Sequence, residues 1–130
     1  MTTTIRRGEV ISPRRYGPFD ASDVEAYAAA SGDDNPLHTD PTLAARAGLP
    51  RPPVHGMLLM GCLEPFLQGW KPGARVVKLA SKFIRPVLVG DDIEVSGKVV
   101  QATHGVPAIV RLTVKRDETI VCLAEVFVQP

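Results

Sequence analysis

Cysteine is scarce in this sequence. There are two, Cys62 and Cys122, each in apolar company. That count leaves no disulfide framework, and no Cys/His spacing fits a zinc site. The pair reads as reduced core thiols of a cytosolic protein. An excess of one charge is also missing: 15 basic and 14 acidic residues give a net charge of +1. Nothing in that balance points to nucleic acid or an anionic membrane as partner, and Arg6-Arg7 and Arg14-Arg15 are too few for a polybasic arm. The longest apolar run, Met57 to Leu63, is interrupted by Gly61 and is far too short to span a bilayer. The first residues lack the apolar core of a signal peptide. There is no glycine-rich nucleotide loop, no internal repeat and no low-complexity linker.

What is present fits one globular domain over residues 1–130, with 45% apolar and 22% charged residues. Two stretches hold most of the chemistry. Ser31-Gly32-Asp33-Asp34-Asn35-Pro36-Leu37-His38 packs acids, an imidazole and an Asn-Pro corner into one loop. Val54-His55-Gly56-Met57-Leu58-Leu59 opens the most apolar segment of the chain.

The order of elements follows from local signals. Residues 5–19 read as an extended segment that Pro13 and Pro18 confine to an edge or the surface. Ser22 and Glu25 have the spacing of a capping box, which predicts a helix ending at Ser31-Gly32. Pro36 stops the helix from continuing through the loop. Asp40-Pro41 predicts a short helix over 42–47, halted by Gly48. A long helix then begins near His55-Gly56, apolar on nearly every side and therefore buried, with Glu64 and Gln68 on one face and a kink or break at Pro65. The second half is rich in valine and isoleucine. It predicts strands over 76–89, 92–101, 108–115 and 119–128, paired most simply as an antiparallel meander. Gly90-Asp91, His104-Gly105 and Arg116-Asp117-Glu118 are the turns. The expected class is α+β, a curved antiparallel sheet wrapped around one central helix.

Gly32-Asp33-x-Asn35-Pro36-Leu37-His38 followed by Val54-His55-Gly56-Met57 resembles the MaoC-like, (R)-specific enoyl-CoA hydratases of the hot-dog fold. Phe83-x-x-Pro86-Val87-x-x-Gly90-Asp91 is similar to a strand and turn found downstream in the same family. The resemblance covers roughly residues 20–92 and implies a hot-dog homodimer that hydrates trans-2-enoyl thioesters. By that match Asp33 and His38 are the catalytic pair and the backbone N–H of Gly56 is the oxyanion donor. Asn35 and His55 are the expected supporting residues, the first pinning the loop and the second orienting the helix start. Met57, Glu64, Phe83 and Arg85 are the candidate substrate-binding residues. Glu64 departs from the small or hydroxyl residue that some of these hydratases carry there.

Hydration of an enoyl thioester needs a group to take a proton from water, a group to deliver one to Cα, and a donor for the enolate oxygen. Asp33, His38 and Gly56 meet that list with no metal and no cofactor; coenzyme A enters as part of the substrate. The alternatives use neighbouring chemistry. A 3-hydroxyacyl-ACP dehydratase runs the same site in reverse on a carrier protein. A hot-dog thioesterase would use Glu64 as base. A non-catalytic acyl-thioester-binding subunit would be expected to lack the acid or the histidine. Lys78 and Lys82 share one strand face; like Arg85, they suit phosphates or plain solvent.

Overall fold

The computed structural model describes residues 4–129. Five strands form one antiparallel sheet, β1 (Val10–Tyr16), β2 (Arg75–Phe83), β3 (Ile93–Gln101), β4 (Ala108–Arg116) and β5 (Thr119–Gln129). Their order is β1-β3-β4-β5-β2. The expected meander therefore holds for β3, β4 and β5 and fails for β2. That strand pairs with β5 from Arg75↔Gln129 to Phe83↔Cys122 and becomes the far edge. The predicted strand over 76–89 is also too long. Pro86 cannot donate to a ladder, and the chain leaves the sheet after Phe83. At the opposite edge, β1 carries Pro13 within a register shift between Ile11 and Arg14, where an unpaired position tolerates it.

Helix α1 (Ala21–Ser31) is capped two residues earlier than the Ser22–Glu25 spacing indicates. Asp20 accepts from the Asp23 backbone N–H at 2.9 Å, and the Asp23 carboxylate accepts from the Asp20 N–H at 2.9 Å. The earlier start places Phe19 just before the cap and Val24 at the fourth helical position. Both are buried in the core, the arrangement of a hydrophobic staple, which a start at Ser22 would forfeit. Gly32, with φ +79°, ends the helix as expected. A short helix α2 (Pro41–Arg46) follows, with Asp40 accepting from Thr42 N–H at 2.9 Å.

The single central helix is two: α3 (Gly56–Met60) and α4 (Leu63–Trp70). The break falls at Gly61-Cys62, four residues before Pro65, which sits harmlessly in the first turn of α4. Nor is the pair buried all round. Leu59, Met60, Leu63, Phe66 and Leu67 enter the core, while Met57 is 63% exposed and Gly61, Glu64 and Pro65 face outward beside it. Gln68 donates to Glu64 at 3.1 Å, the one-face contact expected of positions four apart.

The helices meet the sheet at Gly97. A Cβ there would lie 2.8 Å from Leu112 Cδ2 and 3.5 Å from the Phe66 ring, so glycine makes room for the helix against β3. Glu9 binds β1 to the end of α4, accepting from Trp70 Nε1 at 2.6 Å and pairing with Lys71 at 3.1 Å. Burial raises the Glu9 pKa, but these two donors outweigh it and hold the carboxyl below its ordinary value. Both cysteines are free thiols, and burial pushes each up, away from nucleophilic reactivity. No helix among the described residues is long and apolar enough to cross a membrane.

Candidate active site

The loop after α1 is fixed by its own side chains. Asp33 N–H donates to Ser31 Oγ at 3.1 Å, and Asn35 Oδ1 accepts from Leu37 N–H at 3.0 Å. Asn35 thus pins the loop, and Pro36 opens a single 3-10 turn, Pro36–His38, in place of an irregular loop. That turn carries His38. Its Nδ1 lies 2.8 Å from the Pro53 carbonyl. A carbonyl can only accept, so Nδ1 holds the proton and the free lone pair of neutral His38 is on Nε2.

His55 joins the two stretches. It precedes α3, is 2% exposed, and its Nε2 donates to the Asp33 carbonyl at 3.1 Å. Its ring stacks on His38 with centroids 3.8 Å apart and lies against Tyr27 at 4.7 Å. The remaining nitrogen, Nδ1, has no partner among the described residues. Asp33 is exposed; among the described residues its carboxylate meets only the Asn35 N–H, at a long 3.4 Å. It is therefore free to bind something else.

Asp33, His55, Gly56, Met57, Phe83 and Arg85 line one cavity of about 470 Å³. His38 stands directly behind, stacked on His55. Besides His38, two more of the sequence candidates do not line the cavity. Asn35 does not line the cavity, and Glu64 lies outside it on α4, bound to Gln68. Lys78 sits over the Phe127 ring at 5.1 Å, and Arg85 donates to the Ile120 carbonyl at 3.3 Å. The sequence reading missed the wall formed by Val54, Ile84, Pro86 and Val87, and the Pro53 carbonyl. The Phe83-x-x-Pro86-Val87 spacing was the available signal for that wall.

Gly56 opens α3, so its N–H has no acceptor within the helix. At five residues α3 adds little macrodipole, which leaves the local N–H as the donor. The Phe83 ring lies over this glycine. A Cβ on Gly56 would stand 2.9 Å from Phe83 Cζ.

Asp33, His38 and His55 each offer a ligand atom within 4.8 Å of the others. Their geometry is poor for a metal. Ring lone pairs lie in the ring planes, and these planes are stacked with only 23° between them. The two histidines cannot both point at one ion about 2.0–2.1 Å from each nitrogen unless one leaves the stack.

A family model described as "MaoC like domain" matches residues 3–120. The (R)-specific enoyl-CoA hydratase of Aeromonas caviae is 44% identical over 77 residues, 58% of this chain and 58% of that protein. The mitochondrial 3-hydroxyacyl-[acyl-carrier-protein] dehydratase of Arabidopsis thaliana is 38% identical over 91 residues, 70% of this chain and 54% of that protein. The chain thus spans little more than half the length of these curated relatives. A solved structure of the (R)-hydratase from A. caviae involved in PHA biosynthesis superimposes with a TM-score of 0.88 at 30% identity, covering 98% of both chains.

Proposed function

The chain belongs to the family of MaoC-like domains and has the hot-dog fold, and on that premise we propose that it hydrates trans-2-enoyl-CoA to (R)-3-hydroxyacyl-CoA. The observation that carries this reading is an unencumbered carboxylate and a free helix-start N–H lining one cavity, with an imidazole whose lone pair is on Nε2 stacked on the His55 wall and within 4.8 Å of the Asp33 carboxylate. Water bound between Asp33 and His38 loses a proton as its oxygen bonds Cβ. The pair returns a proton to Cα, so each turnover ends in the starting protonation state. Gly56 N–H holds the thioester oxygen while it carries the enolate charge. Phe83 and Met57 border the acyl path, and Arg85 is the cation at the cavity wall. No metal or cofactor is required by these steps.

A second reading is favoured by the relative named as an acyl-carrier-protein dehydratase: the same residues running the reverse reaction on a carrier-bound 3-hydroxyacyl group. Free thiols at Cys62 and Cys122 support a reducing compartment such as the cytosol. Incubation with crotonyl-CoA tests the class of reaction. Loss of enoyl absorbance without thiol release is expected; thiol release would mean a thioesterase instead. Comparing crotonyl-CoA with crotonyl-ACP then decides the carrier.

The functional unit in this proposal is a homodimer. Strand β2 is an unpaired edge, and eight of its nine residues are exposed, including Val77, Leu79 and Phe83. An apolar edge of that length is a pairing surface. It also leads directly into the cavity wall at residues 83–87. Light scattering at micromolar concentration should give twice the chain mass; a monomer would refute the pairing.

A further inference from the structure

We infer that Asp91 is a positioning residue, which sets the place of the Pro53 carbonyl and through it the His38 ring. The inference rests on the proposed hydratase reading for its catalytic consequence. Its structural part stands alone.

The Asp91 side chain is 12% exposed; it accepts from Leu88 N–H at 2.9 Å and Arg51 Nη2 at 3.0 Å, and Arg116 Nη1 lies 3.6 Å away as an ion pair. Each arginine also grips a carbonyl of the cavity-wall segment. Arg51 Nη1 donates to Val89 O at 2.7 Å, and Arg116 Nη1 to Pro86 O at 2.6 Å. Residues 86–91 are held from both sides. Gly90 is part of the device: with φ +98°, a Cβ there would meet Arg51 Nη1 at 2.8 Å.

This clamped segment is zipped to the connector that precedes α3. Val89 N–H donates to Pro52 O at 2.8 Å, Val54 N–H donates to Val87 O at 2.7 Å, and Pro53 faces Leu88 in an antiparallel bridge. Along an extended chain the backbone groups of successive residues point to opposite sides. With Pro52 and Val54 turned toward residues 87–89, the Pro53 carbonyl must point the other way, which is where His38 Nδ1 meets it at 2.8 Å. A proline costs nothing there, since no N–H is asked of it. The Asp91 charge thus fixes the strap, the strap fixes the connector, and the connector fixes the acceptor that selects the His38 tautomer. Arg51 and Arg116 come from the connector and the β4–β5 hairpin, so one carboxylate ties three segments distant in sequence.

The test uses Asp91→Asn, which keeps an acceptor for Leu88 N–H and removes the charge that holds both arginines. With crotonyl-CoA, kcat is expected to fall by about 10- to 100-fold with KM nearly unchanged, the scale of a small misplacement of a reacting group. In a His38→Ala background the same substitution should leave the residual rate unchanged within about twofold. Imidazole ¹H–¹⁵N spectra, with His38 assigned by its loss in His38→Ala, should show an Nδ1–H tautomer in the wild type and a mixed one in Asp91→Asn. Arg51→Ala, at a half-exposed side chain, should give the same signature more mildly if Asp91→Asn fails to fold. An equal fall in both backgrounds, or an unchanged His38 spectrum in the folded variants, would overturn the inference. If the wild type hydrates no enoyl thioester, the hydratase reading fails, and the spectra still decide whether Asp91 positions His38.

Discussion

Asp33→Asn is expected to lower kcat/KM for an enoyl thioester by about 10²–10⁴-fold, the usual scale for a general acid or base, and His38→Ala by a similar factor. Asparagine keeps an oxygen for the long 3.4 Å contact from Asn35 N–H, so the loop should hold its shape and only the charge is lost. The histidine change is less gentle. It leaves the Pro53 carbonyl without its donor and uncovers one face of His55. Melting curves must therefore accompany the kinetics. In the proposed mechanism both groups serve one water, so the double variant should lose far less than the product of the two single losses. An Asp33→Asn protein with full activity would reduce Asp33 to a turn residue of the kind common beside Asn-Pro.

Removing the Gly56 donor is the second large effect. Gly56→Pro should lower kcat by about 10²–10³-fold, as when one oxyanion-hole hydrogen bond is taken away. Proline suits the first position of a helix, and His55, at φ −58° and ψ 131°, already has the extended conformation that a following proline demands. Alanine is the natural control, since it keeps the N–H. The structure shows why that control fails alone. Either new side chain would set a Cβ 2.9 Å from the Phe83 ring, so both variants would disturb the same wall. The comparison belongs in a Phe83→Ala background, where the ring is absent. There a donor role predicts that alanine is tolerated and proline is not. Equal losses would mean that glycine is needed only for space, and a normal Gly56→Pro enzyme would place the donor elsewhere.

Much of this site was legible because its signals are local. Gly32, Asp40-Pro41 and Gly48 delimit their helices through caps and turns that need no distant partner. The Asp33 and His38 loop, and the glycine at the start of α3, could be named from motif spacing alone. Long-range events were not visible. Strand β2 reads as a neighbour of β3, yet it pairs with β5, from Arg75↔Gln129 to Phe83↔Cys122, across the whole β3–β4 hairpin. The α1 cap moved to Asp20 because burial of Phe19 outweighs a good local Ser-x-x-Glu spacing. The break between α3 and α4, by contrast, was legible: Pro65 has no N–H for the Gly61 carbonyl and would clash with it, and the helix parts at Gly61-Cys62. The two arginines on Asp91 join segments whose sequences hold no hint of one another.

The bond from His55 to the Asp33 carbonyl, with the His38 ring stacked on the same imidazole, bears on how this domain can exchange parts with its relatives. The stretch from residue 39 to residue 51 is mostly exposed, and it looks like a safe place for a recombination crossover. It is the opposite. A splice there draws the acid-bearing loop from one parent and its buried imidazole partner and Pro53 from the other. Chimeras cut within that linker inherit a mismatched joint between Asp33, His38 and His55, whereas cuts in the hairpin at Asp117-Glu118 leave the joint whole.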